Sequence, residues 1–469
     1  MRRAAERCRQ VLPGARFLGT ALMLLAVAAC SPPAPDDAPQ RDTPAADPLP
    51  PMRSFGAPQV RPSLRSNAAL AADFLDLTFM LENGRPLERL TRYKGDIAVS
   101  LRGATNPVLE RDLDRLLARL RGEARLPIRR AETDETPQIV VEVMPRRTLQ
   151  RAVPDAACFV VPRVAGWQDF LAARRSDRVD WTTLERRETA TVFLPGDVSP
   201  QEARDCLHEE IAQAVGPLND LYRLPDSVFN DDNFHTVLTG FDMLMLRVTY
   251  DGALTNGMTR DQVAAALPAV LDRLNPGGRR AGTAAASETP RAWVDEIEYA
   301  LGPRGSERRR KAAAERAVGI ATEEGWNDVR LGFSLYALGR LALMDDPELA
   351  LQAFVAAART YRALPDAQVQ DAHVAMQLAA FALSAGQPEG AMALIDESLP
   401  AVRASENAAL LSSLMMMRAA ALELLGRDAE ARREREQALG WARYGFGSDR
   451  IVREHAVEIA SLAHRPADR

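Results

Sequence analysis

The sequence predicts an α+β domain, with a mixed sheet and two main helices, followed by an all-α domain of helical repeats. Between residues 66 and 275, short runs of alternating polarity typical of strands are interleaved with amphipathic segments typical of helices. From residue 290 to 469 the chain is rich in alanine, and helix starts recur at a nearly constant spacing. At 469 residues the chain has room for two or three domains.

Residues 1–29 are predicted to be a signal peptide. Five arginines precede an apolar run at 17–29 that is too short to cross a bilayer. The run ends in small residues before Cys30, which resembles a bacterial lipobox. We therefore expect a lipidated Cys30 that anchors the protein in the membrane. With Ser31 next, the expected location is the periplasmic face of the cell envelope, at the outer membrane. The alternative is an ordinary secretory signal with an incidental cysteine.

Residues 30–65 are predicted to be a disordered tether that begins at the lipidated cysteine. Ten of residues 31–65 are proline, and few are large and apolar. Such a segment buries too little surface to offset the entropy lost on ordering. As extended polyproline II, at about 3.1 Å per residue, it could reach on the order of 100 Å.

Charge and cysteine content exclude several classes of function. The net charge of −5 argues against nucleic acid as a partner. Lys94 and Lys311 are the only lysines, and neither completes a P-loop, so no nucleotide is expected. With Cys8 in the signal peptide and Cys30 lipidated, Cys158 and Cys206 are expected to form a disulfide in an exported protein.

The elements of the first domain, at 66–275, are predicted in the following order. A helix begins after Ser66 as its cap, and later helices are expected around residues 106–120, 199–215 and 239–250. Alternating or apolar runs predict strands at 96–101, 138–143, 157–161 and 189–194.

Residues 209–220 carry the candidate site. Their sequence, EEIAQAVGPLND, is similar to the metzincin pattern H-E-x-x-H-x-x-G-x-x-H with its zinc ligands exchanged. Glu209, Gln213 and Asn219 stand at the three histidine positions, whereas Glu210 and Gly216 keep the general-base and turn positions. Glu209 and Gln213 are four residues apart, so they share one face of a helix.

The candidate metal ligands are the side-chain oxygens of Glu209, Gln213, Asn219 and Asp220. Oxygen ligands suit Ca²⁺, Mg²⁺ or Mn²⁺ better than zinc, because zinc prefers imidazole and thiolate. If the cleft is hydrolytic, Glu210 is the candidate that activates water. The alternative is a solvated or internally hydrogen-bonded face that holds no cofactor.

The residues that follow extend the likeness to metzincins. Asp226–Asn230 stands where their methionine-containing turn is found, with Phe229 in place of the methionine. Thr239–Tyr250 is similar to their closing helix, which begins with a capping box. The order of elements therefore resembles a zincin catalytic domain.

The same region resembles a proteobacterial family of lipoproteins that carries domain of unknown function 2927. The resemblance covers roughly residues 66 to 275 and is carried by Cys206, Glu209, Glu210, Gln213, Gly216, Asn219, Asp220, Pro225–Asp231 and Phe241–Asp242. It implies an exported lipoprotein and supplies no activity.

A linker at 276–289 is predicted to lead into helical repeats at 290–469. Four residues of types that cap or begin helices recur at spacings of 41, 41 and 40 residues. They are Ser306, Pro347, Pro388 and Asp428. This period resembles tetratricopeptide repeats. The alternative is an irregular helical bundle.

Three functions are compatible with these predictions. The first is a lipid-anchored pseudo-enzyme or recognition module, whose helical repeats bind a protein partner. The second is a metal-dependent hydrolase of peptide or cell-wall substrate, with a non-zinc ion and Glu210 as general base. The third is an assembly scaffold that acts only through the repeats.

Overall fold

The structure is a computed structural model that describes residues 48–56, 62–63, 65–154, 156–279 and 287–463. The predicted signal peptide and Cys30 lie outside the described residues. None of the described helices is both long enough and apolar enough to cross a membrane.

A five-stranded mixed sheet forms the centre of the first domain. Its strands are β1 (Ile97–Gly103), β2 (Ile128–Arg130), β3 (Ile139–Met144), β4 (Phe159–Pro162) and β5 (Ala190–Pro195). Their order across the sheet is β2-β1-β3-β5-β4. The first four strands in this order run parallel, whereas β4 is antiparallel to β5 and pairs Val160 with Val192. β4 is thus an edge strand, and it contacts the helix that carries residues 209–215, which we call the motif helix.

The α+β class and the mixed sheet are confirmed, and four of the five strands lie where the sequence predicts them. β2 is the exception. Its three residues are too few to show an alternating pattern, and it forms only because α2 (Pro107–Gly122) returns the chain beside β1.

Seven α-helices are described in this domain. They are α1 (Asn67–Thr78), α2, α3 (Arg146–Ala152), α4 (Trp167–Ala173), α5 (Pro200–Val215), α6 (Gly240–Thr249) and α7 (Arg260–Leu274). The predicted caps are present. Ser66 Oγ accepts the Ala69 N–H at 3.3 Å, and Ser199 Oγ accepts the Glu202 N–H at 3.1 Å. Thr239 forms the predicted capping box with Asp242. Helices α3, α4 and α7 were not predicted.

The core of the domain lies between the sheet and helices α2 and α5. Leu113 and Leu116 of α2 are fully buried in one cluster with Val141 and Val192 of the sheet. Ile211 of α5 belongs to the same cluster. Because this face of α5 is committed to the core, its polar residues are left to line a cleft.

Nine further α-helices are described in the C-terminal region. They are α8 (Arg291–Leu301), α9 (Glu307–Glu323), α10 (Val329–Ala342), α11 (Pro347–Arg362), α12 (Gln368–Ser384), α13 (Pro388–Ala404), α14 (Ala408–Leu424), α15 (Asp428–Gly445) and α16 (Asp449–Leu462). Helices α9, α11, α13 and α15 begin at the predicted positions. Consecutive helices from α8 to α15 pack mainly in pairs, and Ala350, Ala391 and Ala431 are fully buried.

The described part of the proline-rich segment is ordered, which corrects the prediction of a wholly disordered tether. Phe55 is 9% exposed, and its ring centroid lies 4.5 Å from that of Trp441. The Arg53 N–H donates to the Gly440 carbonyl at 2.9 Å, and Arg443 donates to the Pro50 carbonyl at 3.0 Å. The physical reason is that Leu49, Met52 and Phe55 give this stretch apolar side chains that pack on α15 and its neighbours.

Candidate functional site

Helix α5 presents three motif residues to one cleft. A cavity of about 570 Å³ is lined by Glu209, Glu210 and Gln213. Phe159 of β4 and Trp181 also line it. Glu210 is 4% exposed and Gln213 8% exposed, whereas Glu209 is half-buried. The sheet edge and the helix together therefore form the walls of the candidate site.

The C-terminus of α5 is held by Arg187, a residue that sequence reasoning missed. Its buried guanidinium donates to the carbonyls of Gln213 at 2.6 Å and Ala214 at 2.7 Å, and also to that of Gly216. These carbonyls have no partner within the helix, so a buried cation beside them is favourable. Arg187 thus positions the motif helix without touching the cleft carboxylates.

Gly216 allows the chain to pass close to α6. A Cβ at this position would collide with Leu246 and approach the Ala212 carbonyl at 3.1 Å. The requirement is for space, because Gly216 has a φ of −138°, outside the left-handed region.

Five carboxylates from three segments gather at this cleft, and we call them the acid cluster. Its members are Glu82, Glu209, Glu210, Asp220 and Asp231. Glu82 and Asp231 lie at the exposed rim, Glu209 and Asp220 are half-buried, and Glu210 is buried. Carboxylate oxygens of Glu209 and Glu210 lie within 4.8 Å of each other. The cluster concentrates negative charge in a partly dry site.

The electrostatics of the acid cluster favour its neutral forms. Burial, followed by the charges of Glu82 and Asp231, raises the pKa of Glu209 to about 7. Burial and the charge of Glu209 raise the pKa of Glu210 well above its usual range. Burial and the neighbouring carboxylates act on the pKa of Asp220 in the same direction. Each carboxyl group therefore needs a proton or a cation to offset its charge.

The described residues supply no such cation. None of the five carboxylates forms an ion pair with them. Three arginines line the same region, and all are already engaged. Arg223 binds Asp73 and Asp76, and Arg260 binds Asp76. Arg291 binds Asp295 and Glu298. The described residues therefore leave the charge of the acid cluster uncompensated.

Two buried oxygens of the cluster also lack hydrogen-bond partners. These are Glu210 Oε2 and Asp220 Oδ1, and neither has a partner among the described residues. A buried carboxylate oxygen left in this way costs free energy unless a proton, a water molecule or an ion satisfies it.

Gln213 and Asn219, two of the predicted metal ligands, have their amide groups fixed by hydrogen bonds. Gln213 Nε2 donates to Glu82 Oε1 at 3.1 Å, and Asn219 Nδ2 donates to the Asp76 carbonyl at 2.9 Å. Glu209 and Gln213 line the cavity described above, whereas Asn219 and Asp220 line an adjoining part that shares Glu82. With both nitrogens used, the amide oxygens are the atoms left to face a ligand.

A disulfide joins Cys158 and Cys206, with their Cα atoms 6.0 Å apart. It connects the chain just before β4 to the middle of α5, and Cys158 lines the cleft beside Glu209 and Glu210. The Cys158 sulfur lies within 4.8 Å of the Glu209 and Glu210 oxygens. A disulfide sulfur carries no thiolate charge, so Cys158 is not a candidate zinc ligand.

The histidine closest to the motif in sequence has a structural role. His208 is 4% exposed, and its Nδ1 accepts the Leu238 N–H at 3.2 Å. Burial lowers the pKa of His208 well below its usual value, so the ring is a neutral acceptor. His208 therefore does not supply the imidazole that the motif lacks.

The segment predicted to replace the methionine-containing turn is anchored to α6. Ser227 Oγ donates to Asp242 Oδ1 at 2.5 Å, and the Val228 N–H donates to Asp242 Oδ2 at 3.2 Å. Phe229 is fully buried in the main core. The Asp242 carboxylate thus serves both the capping box and the preceding turn.

The family comparison agrees with the resemblance found in the sequence. Residues 67–269 match the family model described as a protein of unknown function, DUF2927. The match includes α5 and every member of the acid cluster. No curated protein and no solved structure matches the chain. An activity for the matched region must therefore be inferred from its own residues.

Part of this site was predictable from the sequence. One motif identified four of its residues, and the structure brings them to adjoining parts of one cleft. They are Glu209, Glu210, Gln213 and Asp220. Glu82 was missed because it lies in a turn after α1, far from the motif along the chain. Asp231 lies in the segment that carries the family resemblance, and that was the only signal that could have marked it.

Proposed function

We propose that the DUF2927 domain is a zincin-like scaffold in which an oxygen-ligand site for a divalent cation replaces the zinc site. It would act as a recognition module or pseudo-enzyme. The strand order and the antiparallel edge strand β4 support the scaffold. So do the motif helix that follows β5 and the capped helix α6. The exchanged ligand positions argue against a zinc peptidase.

The observation that carries this proposal is the uncompensated charge of the acid cluster together with the unpartnered Glu210 Oε2. Several carboxylates that share a small site raise one another's pKa unless a cation neutralises them. Hard divalent cations favour carboxylate and amide oxygens, which is the donor set of this cleft. A cation there would also satisfy Glu210 Oε2, which no described residue does.

Residues of this chain that would hold the ion are Glu209, Asp220 and the amide oxygens of Gln213 and Asn219. Glu82 would orient Gln213 through the hydrogen bond that it accepts from the amide. Such an outer contact fixes which atom of the amide faces the ion. When bound, the ion would supply positive charge that attracts and polarises an anionic or carbonyl-containing ligand.

Binding of Ca²⁺, Mg²⁺ and Mn²⁺ to chelator-treated protein tests the proposal. Calorimetric titration should give about one site per chain for at least one of these ions, with a Kd of about 10⁻³ M or tighter. Glu209→Gln should weaken binding more than about tenfold, because it removes a charged ligand. Glu185→Gln, an exposed position on the same domain, should leave the affinity unchanged. Wild-type protein that binds none of these ions would overturn the proposal.

Hydrolysis of peptide or cell-wall substrate is the second candidate. Glu210 favours it, because a buried carboxyl with a raised pKa is suited to exchange a proton with a substrate or with water. The discriminating assay uses cation-loaded protein on denatured protein substrates and on peptidoglycan. Turnover that disappears in Glu210→Gln but survives in Glu185→Gln would establish the enzyme, whereas cation binding without turnover would favour the recognition module.

Anchoring at Cys30 is proposed from the sequence alone, since Cys30 lies outside the described residues. Bacteria that express the full chain should incorporate labelled palmitate into the wild type and not into Cys30→Ala. Labelled protein should fractionate with the outer membrane, in agreement with Ser31. Palmitate retained in Cys30→Ala would contradict the lipid site.

A protein-binding role for the helical region is also a proposal, as is its tetratricopeptide-like character. One face of that region is occupied by the DUF2927 domain itself: α12 donates from Gln370 Nε2 to the Pro225 carbonyl at 2.7 Å. Gln201 and Arg204 of α5 hydrogen-bond to Asn407 and Glu406, just before α14. An external partner, or an assembly built only through the repeats, would have to use the remaining surface.

A further inference from the structure

The loop that follows the motif helix links the acid cluster to the helical region. This cleft loop, residues 217–238, carries Asn219, Asp220 and Asp231. On its other side it inserts two aromatic rings, Tyr222 and Phe234, among the helices of the C-terminal region. The cleft loop therefore faces a charged site on one side and an apolar core on the other.

Phe234 is the main anchor of the cleft loop. It is 4% exposed, and its ring centroid lies 5.7 Å from Phe333 and 5.3 Å from Tyr336 of α10. It also lies 4.7 Å from the ring of His373 on α12. Phe234 thus makes three ring contacts away from water, and these hold the loop in one position.

Tyr222 connects that apolar core to the acid cluster. Its ring centroid lies 5.1 Å from that of Trp293 on α8 and 6.1 Å from that of Phe333. Trp293 is itself fully buried and donates from Nε1 to Ser334 Oγ at 2.9 Å. Tyr222 lines the same part of the cleft as Asp231. Burial raises the pKa of Asp231, and the Tyr222 hydroxyl opposes that rise. Tyr222 thus joins α8 to the part of the cleft that contains Asp231.

Helix α8 also brings a carboxylate of its own. Glu298 lines the part of the cleft that contains Glu82, Asp220 and Asp231. Its negative charge acts on Asp231, although Arg291 also contacts it at 3.2 Å. The cleft is therefore bounded by the DUF2927 domain on one side and by α8 on the other.

We infer that the helical region completes the cation site of the cleft: Tyr222, held by Trp293 and Phe333, positions Asp231, and Glu298 adds a further carboxylate near the site. Tyr222 and Trp293 are positioning residues, since they act through Asp231. The inference rests on the proposed cation site and on the unpartnered, 4% exposed Glu210 that faces it. It assigns to the helical region a part in ligand binding by the DUF2927 domain.

The consequence is a coupling that works in both directions. If docking of the helical region places Asp231 for the cation, then the cation must stabilise the docked arrangement by the same free energy. Bound cation should therefore slow hydrogen exchange in α8 and α10 as well as in α5.

The test compares cation affinity in single variants of the full chain. Tyr222→Phe keeps the ring and removes only the hydroxyl, and Glu298→Gln removes one surface charge. Tyr222→Phe should weaken Mn²⁺ binding by about tenfold, the loss typical when an outer contact of a ligand is removed. It should also shift the pH dependence of binding, which a purely structural change would not do.

Glu298→Gln should weaken binding to a smaller extent. The control Asp295→Asn, on the same helix, should have no effect, because Asp295 pairs with Arg291 and does not line the cleft.

The outcomes separate this inference from the proposed function. Wild-type protein that binds no divalent cation overturns both. Binding that is normal in the wild type and unchanged in Tyr222→Phe and Glu298→Gln overturns the inference alone. Glu298 is exposed, so its variant is expected to fold and keeps the test decisive even if Tyr222→Phe is unstable.

Discussion

Cation-free protein is expected to lose stability as the pH rises from about 4.5 to about 7. The folded state raises the pKa of Glu209 from its ordinary value of 4.5 to about 7, mainly through burial. Between those two values the folded state binds more protons than the unfolded state, so the free energy of unfolding falls with pH. A shift of this size corresponds to roughly 3 kcal/mol at 1.36 kcal/mol per pKa unit. The raised pKa values of Glu210 and Asp220 act in the same direction.

Urea unfolding at pH 5 and pH 7.5, with chelator present, measures this loss. Glu209→Gln should reduce the difference between the two pH values, because the neutral amide has no proton to lose. Glu185→Gln, which changes an exposed carboxylate of the same domain, should show the full wild-type difference. At pH 7.5 a binding cation at a hundred times its Kd should restore about 2.7 kcal/mol. A wild-type protein equally stable at both pH values, with and without cation, would contradict the account of the acid cluster.

Loss of the Cys158–Cys206 disulfide is expected to have a comparably large effect. The bridge closes a loop with a sequence separation of 48 residues. Chain entropy predicts that a bridge of this span contributes about 4 kcal/mol, chiefly by restricting the unfolded state. The bridge also holds the chain before β4 against α5, so its loss should loosen one wall of the cleft and weaken cation binding.

The double variant Cys158→Ser, Cys206→Ser measures this contribution by urea unfolding at pH 7.5. Wild-type protein treated with a thiol reductant should unfold at the same urea concentration as the double variant, which serves as an internal control. Unfolding midpoints and cation affinities equal to those of the oxidised wild type would show that the bridge supports neither the fold nor the cleft.

Features set by local sequence were predictable. The caps at Ser66, Ser199 and Thr239 depend on residues within one helical turn, and each forms the expected hydrogen bond. The periodic helix starts after residue 306 depend on the same short-range rules. The strands were predicted where at least four residues show a pattern, and β2 was missed because it has three.

Features set by long-range packing were not predictable. Glu82 and Arg187 reach the motif helix from turns far away in sequence, and nothing near them marks such a contact. Tyr222 and Phe234 read as residues of a polar loop, yet they are the contacts that dock the helical region. Phe55 was assigned to a proline-rich tether because composition alone does not show that Trp441 offers it a partner.

Anomalous scattering from crystals soaked in Mn²⁺ would show whether a divalent cation binds among the oxygens of the acid cluster. We expect one strong anomalous peak within about 2.0–2.6 Å of oxygens from Glu209 and at least one other predicted ligand, which is the range for hard divalent ions. The peak should be absent in crystals of Glu209→Gln soaked in the same way. A cleft without a peak in the wild type, at a Mn²⁺ concentration that saturates any site seen in solution, would contradict the proposed cation site.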